Sequence, residues 1–362
     1  MTAQVSMPLA TMPASEPATF LDNLELPDFD PAIHLAFQPP AQRHTFSDVG
    51  LQKPQNVPDL CYTDPFPLFS EEGVRILRRE MLSRQMLDKY LKSWDRAPAY
   101  VAGHEKTAKF TLQAWKHPAT QAAIDRAAGF ALRPLNKVGD LAMLNIQLGP
   151  EGVPGVYKLT ETPSPAQSAL EIKKSKYDSV PIDSWHKDQV PVVCVVMLSD
   201  SRTMEGGETA IKTGDGSIVK VKSPTMGGAV IMQGGITEHA ALRATNVPER
   251  ISMVTSYTYA DPNMDDRYTT LRSVDPANED ISVTCNQYLQ EKLIRLRGRV
   301  DSVLTTLIEK EKNGEMIERE EVERWVKEQT EFLRRSAWEM YERIPNFLHQ
   351  DAPEDLIQDY LK

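Results

Sequence analysis

Between Gly139 and Ala260, short apolar segments alternate with turns that carry Gly, Pro and Asp: LAMLNIQL, VPVVCVVML, ETAIK, GSIVKVK, GAVIMQGG and RISMVTSYTY. Runs of this length, rich in Val, Ile, Met and Tyr, predict strands. Gly214-Asp215-Gly216 between two of them predicts a hairpin turn. Many short strands without intervening helices predict a sandwich or barrel, the double-sheet jelly roll being one option. Helical spacing flanks this stretch. Ser70 is an N-cap followed by Glu71 and Glu72, and Val74, Leu77, Met81, Met86 and Leu87 form an apolar stripe as far as Tyr90. A second helix is expected from Ala119 to Phe130, ended by Arg133-Pro134. After Asp275-Pro276, Leu289, Leu293, Leu296, Val300, Leu304 and Leu307 lie on one face of a long helix. Asn313-Gly314 breaks it. The next helix runs from Ile317 to Tyr341, with Trp325, Phe332 and Trp338 as buried anchors and Ile344-Pro345 as its stop. The helical pair is read as packing, either bracing a sheet or forming a dimer surface.

Proline density adds one feature. Eleven of the 26 prolines fall in the first 70 residues, so residues 1–69 are expected to form a proline-rich extended arm. The expected organisation is that arm, a helical region at 70–138, a catalytic core at 139–262 and a C-terminal helical region at 263–362, together one integrated domain. The fold class is α+β.

Composition narrows the function. With 362 residues, 41 Lys plus Arg against 51 Asp plus Glu, the net charge is −10. That balance argues against sequence-independent nucleic-acid binding, which needs a surplus of cations to neutralise phosphates. No run of apolar residues is long enough to span a membrane. Cys61, Cys194 and Cys285 match no zinc or CxxC spacing, and an odd number of scattered cysteines suits a reducing compartment. The first 20 residues contain no Lys or Arg, unlike a signal or transit peptide. The expected location is cytoplasmic.

The chemistry concentrates in SWHKDQVPVVCVVML. His186 and Asp188 are two apart at the start of an apolar strand, where side chains at i and i+2 share a face. His239 follows just beyond GAVIMQGG, whose Gly234 and Gly235 permit a tight return of the backbone. Two imidazoles and one carboxylate form the facial set of non-haem Fe(II) oxygenases, which leaves open positions for a cosubstrate and O2. Zinc or a nickel-type cupin site remains open at this point, as does the reading of ordinary polar residues at strand ends. Arg250 opens the strand RISMVTSYTY, and Ser252 shares its face. A buried guanidinium near a metal requires an anion, and its planar fork suits a carboxylate. An interstrand ion pair is the alternative.

His186-x-Asp188, His239 and Arg250-x-Ser252, in that order, resemble the Fe(II)/2-oxoglutarate-dependent dioxygenase superfamily. The resemblance covers about residues 140–260 and includes Gly206-Gly207-Glu208-Thr209. It implies a double-stranded β-helix (jelly-roll, cupin-like) core with flanking N- and C-terminal helices. It further implies Fe(II) held by His186, Asp188 and His239, and 2-oxoglutarate held at its distal carboxylate by Arg250 and Ser252. The reaction implied consumes O2 and couples loss of CO2 from 2-oxoglutarate, giving succinate, to C–H abstraction on a small-molecule substrate. Hydroxylation, desaturation and oxidative cyclisation all begin in this way. Asp188 disfavours the halogenase variant, which lacks the carboxylate. The overall texture is loosely similar to fungal oxygenases of specialised metabolism, including the amino-acid-oxidising, aziridine-forming ones.

Other positions carry weaker expectations. Met143, Asn145 and Gln147 share one face of an early strand, and Asn145 or Gln147 is a candidate contact to the oxoacid or substrate. Tyr157 and Lys158 are candidates for similar work, and Trp185 is a candidate pocket wall. Lys187 should face away from the metal, and Lys158 to Ser179 is expected to be a mobile lid. His34, His44, His104, His117 and His349 fall in no ligand spacing and are read as surface or structural. Arg295, Arg297 and Arg299 are read as a solvated helical face. The competing functions are a cupin-like metal enzyme that uses no 2-oxoglutarate, and a non-catalytic scaffold acting through the C-terminal helices. The protein is expected to be a monomer or homodimer.

Overall fold

The computed structural model describes residues 25–135, 137–167, 174–272, 274 and 278–341. Eight strands build the centre: Met143–Ile146 (β1), Asp183–His186 (β2), Val192–Met197 (β3), Thr209–Lys212 (β4), Ile218–Val221 (β5), Gly228–Met232 (β6), His239–Ala241 (β7) and Ile251–Tyr259 (β8). They divide between two antiparallel sheets. One carries the order β6-β3-β8-β1 and is extended at its edges by short strands; the other carries β5-β4-β7-β2. The chain passes between the sheets, β1 in the first, β2 in the second, β3 back in the first, the β4–β5 hairpin in the second, then β6 in the first, β7 in the second and β8 in the first.

The patterning explains this arrangement. β3 (VVCVVM) and β6 (GAVIM) are apolar on both faces because the first sheet is covered on both sides. β4 and β5 close through Thr213–Ser217, where Asp215 accepts hydrogen bonds from the Ser217 backbone and hydroxyl, as the Gly-Asp-Gly signal predicts.

Helices cover the first sheet. The stripe from Ser70 forms a helix over Glu71–Met81 (α1), capped by the Ser70 hydroxyl, which accepts from Gly73 N. It does not continue to Tyr90. Ser83 caps a separate helix, Arg84–Tyr90 (α2), because its hydroxyl takes over the first free N–H groups. A helix over Lys109–Lys116 (α3) was not expected. Pro118–Ala128 (α4) ends not at Arg133-Pro134 but at Gly129, whose φ of 86° supplies the left-handed cap. Buried polar pairs tie these helices down. Arg78 Nη1 lies 2.9 Å from Glu249, and Glu80 accepts from the backbone of Phe110 and Thr111.

Of the proline-rich arm, residues 25–69 are packed rather than loose. Phe46, Leu60, Phe66, Leu68 and Phe69 are buried in the main core, and Tyr62–Thr63 and Phe66–Pro67 pair with β6. Residues 1–24, the Asp275-Pro276 break, the Ile344-Pro345 stop, His349 and part of the expected lid (168–173) lie outside the described residues.

The C-terminal helices are Ile281–Asn313 (α5) and Arg319–Tyr341 (α6), with Gly314 as the left-handed break between them. Trp338 is buried, whereas Trp325 and Phe332 are half-buried. The leucine face does not pack inward. Leu293, Val300 and Leu304 are exposed, and the buried face of α5 carries Tyr288, Glu291, Lys292, Arg295 and Arg299. Arg295 and Arg299 are thus not solvated as expected. Lys292 Nζ and Arg295 Nε lie 2.6 and 3.3 Å from Asp266, and Arg295 and Arg299 also donate to backbone carbonyls of residues 259–264. Helical period marks a face but not its sign, and here buried carboxylate and carbonyl acceptors favour the charged one.

Candidate metal centre

The centre forms where β2 and β7 run side by side in the second sheet. His239 is in register with His186, and the ring centroids are 4.3 Å apart. Asp188 is not on a strand. It lies in the turn between β2 and β3, where its N–H donates to the Gly234 carbonyl at 2.9 Å. Strand alternation therefore does not bring His186 and Asp188 together; the turn does. The result is nonetheless convergence. One ligand atom from each of His186, Asp188 and His239 lies within 4.8 Å of the others. His186 Nε2 is 3.3 Å from one carboxylate oxygen and His239 Nε2 is 3.5 Å from the other.

Backbone carbonyls set the proton on each ring. His186 Nδ1 faces Ser184 O at 2.6 Å, and His239 Nδ1 faces Thr237 O at 3.0 Å. A carbonyl only accepts, so each Nδ1 carries a hydrogen, and Nε2 is the nitrogen through which each neutral ring would bind a metal. Burial favours the neutral form of His239, against the pull of Asp188. Burial also opposes ionisation of Asp188, yet His239 foremost, then His186 and Arg96, hold its carboxyl well below the usual range. Two imidazole Nε2 atoms and a carboxylate aimed at one point are a donor set that a bound cation would share. Asp188 Oδ2 is buried with no hydrogen-bond partner. Residue types, second-sphere carbonyls and the remaining open positions all fit a divalent first-row metal.

Gly234 is part of this design. A Cβ there would stand 2.9 Å from Asp188 Cγ and 3.2 Å from His239 Cε1. Only a residue without a side chain admits the carboxylate.

Arg250 is 1% exposed, immediately before β8. Its Nη1 donates to Ser252 Oγ at 2.7 Å and its Nε to Gly207 O at 3.2 Å. Among the described residues, no carboxylate oxygen lies within 4 Å of it, so the interstrand ion pair is not formed. Burial pulls its guanidinium down to about 10, with Asp183 and Glu208 pulling the other way.

A cavity of about 40 Å³ is lined by Arg250, Ser252 and the three candidate ligands. A second, of about 60 Å³, opens beyond it past Trp94, Tyr100 and Gln189. The two share Arg96, Met143, Asn145, Asp188, Val193 and Val254 as a common wall. Asn145 thus faces both, and its Nδ2 donates to Asp183 Oδ2 at 3.4 Å. Gln147 is elsewhere, bonded to Ala244 and Val247. Tyr157, Lys158 and Trp185 line neither cavity, and Lys158 pairs with Glu151.

Sequence reasoning did not pick out Arg96 or Asp183. Arg96 Nε lies 2.9 Å from Asp183 Oδ1, and Asp183 Oδ1 is 3.5 Å from His186 Nδ1. Asp183 carries a readable signal, opening the strand that ends in His186. Arg96, 90 positions before the first ligand, carries none.

No protein-family model and no curated protein matches the chain. Among solved structures it is similar to the non-haem α-ketoglutarate-dependent epimerase SnoN from nogalamycin biosynthesis, at 16% identity and a TM-score of 0.35 over 55% of this chain and 78% of that one. It is similar also to the carbocyclase SnoK from the same biosynthesis, at 18% and 0.34 over 55% and 80%. A prolyl-4-hydroxylase from Pseudomonas putida matches at 16% and 0.29 over 52% and 88%. These neighbours fall in the oxygenase superfamily that the sequence resembles. Likeness at this level carries no argument of its own, so the functional reading rests on the site.

Proposed function

We propose that the protein is a non-haem Fe(II)/2-oxoglutarate-dependent oxygenase acting on a small molecule. The observation that carries this is a buried Arg250 without a carboxylate, facing the same cavity as two histidine Nε2 atoms and Asp188. A metal alone does not need that arginine. A dicarboxylate that chelates the metal at one end does.

In this reading the strand alternation between two sheets is a double-stranded β-helix. His186, Asp188 and His239 hold the iron, and Arg250 with Ser252 grips the distal carboxylate of 2-oxoglutarate. When bound, iron supplies the O2-dependent decarboxylation of 2-oxoglutarate to succinate and CO2 and the resulting C–H abstraction. The chain's own work is positional. Ser184 and Thr237 carbonyls hold the imidazoles in the ligating tautomer. Asp188, whose carboxyl is held toward its ionised form by His239, His186 and Arg96, supplies the anionic donor. Val193, Val195 and Val254 line the inner cavity with apolar surface, which strengthens the Arg250 interaction by excluding water. Asn145 faces the oxoacid or the substrate. Hydroxylation, desaturation and cyclisation share these residues, and the fungal specialised-metabolism type remains the resemblance described above.

The test is succinate release from 2-oxoglutarate with Fe(II) and O2. It should require all three, and His239→Ala should abolish it. A cupin-like enzyme would bind metal and release no succinate.

A further inference from the structure

Arg96 has unspent hydrogen-bonding capacity. Its side chain is 9% exposed, yet neither Nε nor Nη1 makes a hydrogen bond, despite Asp183 lying at ion-pair distance. The guanidinium sits 4.9 Å from the Trp94 ring centroid. A ring face balances charge but does not satisfy in-plane N–H groups. Asp183 is itself shared with Asn145. Buried donors left unmade are costly, and these stand in the wall common to the two cavities, with one side toward the metal ligands. Asn145 Oδ1 and Gln189 Oε1 are also buried there without partners. Unpartnered polar atoms of Arg96, Asn145 and Gln189 thus line one cavity, together with Trp94, Tyr100 and Val193 and the acids Asp140, Asp188 and Glu279. Of the acids that line the outer cavity, Asp140 lies 3.5 Å from Lys137 and Asp188 faces His186 and His239; Asp183 is the carboxylate at ion-pair distance from Arg96, beside Nε, and Nη1 is left for a ligand.

We propose that Arg96 anchors a carboxylate of the substrate, so that the enzyme takes small carboxylic acids whose reacting carbon is held toward the metal ligands. This rests on the oxygenase reading above. Arg250 and Arg96 then divide the anions between them, Arg250 taking the cosubstrate and Arg96 the substrate. A guanidinium fork fits the planar pair of carboxylate oxygens, and the size of the outer cavity limits the ligand to a compact acid. Asn145 and Gln189 are placed to read further polar groups on it.

The experiment is calorimetric titration of the anaerobic Fe(II)·2-oxoglutarate protein. The probes are butyrate, isobutyrate and isovalerate with their 2-amino and 2-hydroxy derivatives, each against its primary amide. Acids should bind and their amides should bind at least about tenfold more weakly, since a charged hydrogen bond of this kind is lost. Arg96→Met should lose the acids while still forming the visible Fe(II)·2-oxoglutarate band, and Arg96→Lys should recover part of the affinity. Equal binding of acids and amides overturns the proposal, as does failure of every acid to bind. Loss of the band in Arg96→Met also overturns it, by assigning Arg96 to the cosubstrate. Should wild-type protein form no band at all, the oxygenase reading itself has failed, which is a different result.

Discussion

Replacing Gly234 by alanine should abolish metal binding while leaving the fold in place. The added Cβ would stand 2.9 Å from Asp188 Cγ, and closer still to Oδ2. Ordinary carbon–carbon contact begins near 3.4 Å, so the carboxyl group must retreat by at least about 0.5 Å. Metal–ligand distances tolerate only about 0.2 Å. Asp188 has no easy retreat, because its own N–H is held by the carbonyl of Gly234 itself. The same Cβ presses on His239 Cε1 at 3.2 Å, so two of three ligands are disturbed. Disturbing supporting groups alone lowers metal affinity about 10- to 100-fold, and displacing a ligand should exceed that. The assay is competition for Co(II) or Fe(II) against a chromogenic chelator under anaerobic conditions, with thermal unfolding of the metal-free protein alongside. Gly216→Ala is the control. No other atom lies within 4 Å of that position, so its left-handed φ of 84° should lower stability a little and metal affinity not at all. If Gly234→Ala binds metal within about threefold of wild type, the carboxylate is not a ligand and the assignment of Asp188 is wrong.

Two further outcomes concern stability. His104 is fully buried and neither ring nitrogen has a partner; burial lowers its pKa from 6.5 to about 4. The unfolded chain therefore binds this proton more readily, and its contribution is complete above pH 6.5 and is lost as pH falls toward 4. That is on the order of 3 kcal/mol; His104→Gln should flatten this limb in urea titrations, and an unchanged slope would contradict it. Asp266→Ala leaves Lys292 and Arg295 buried without their carboxylate. It should destabilise by about 3–5 kcal/mol, read by denaturant unfolding, with a loss below about 1 kcal/mol showing that backbone acceptors suffice.

The candidate ligand set was legible because its signals are local. His186 and His239 each sit at a strand end, and Arg250, just before β8, faces the same cavity as Ser252 two residues on. Their convergence depends on register, His239 opposite His186, which two-residue periodicity allows without specifying. Asp188 was picked out for the wrong reason, since the strand stops at His186 and a turn turns the carboxylate inward. Arg96 was invisible because it lies in a short connection whose position depends on sheet packing. The C-terminal helices show the opposite failure. A leucine stripe is a strong signal for a buried face, yet the buried side of α5 is set by Asp266 and the carbonyls of residues 259–264, whose positions no local pattern encodes.

The most direct measurement is anaerobic visible spectroscopy of the purified protein as Fe(II) and then 2-oxoglutarate are added, for wild type and Arg250→Met. Wild type should develop the metal-to-ligand charge-transfer band of a chelated oxoacid. The variant should bind Fe(II) equally well but need at least about 30-fold more 2-oxoglutarate, since a buried charge pair is lost. Fe(II) binding with no band in wild type, or a band that Arg250→Met leaves unchanged, would contradict the oxygenase assignment at its centre.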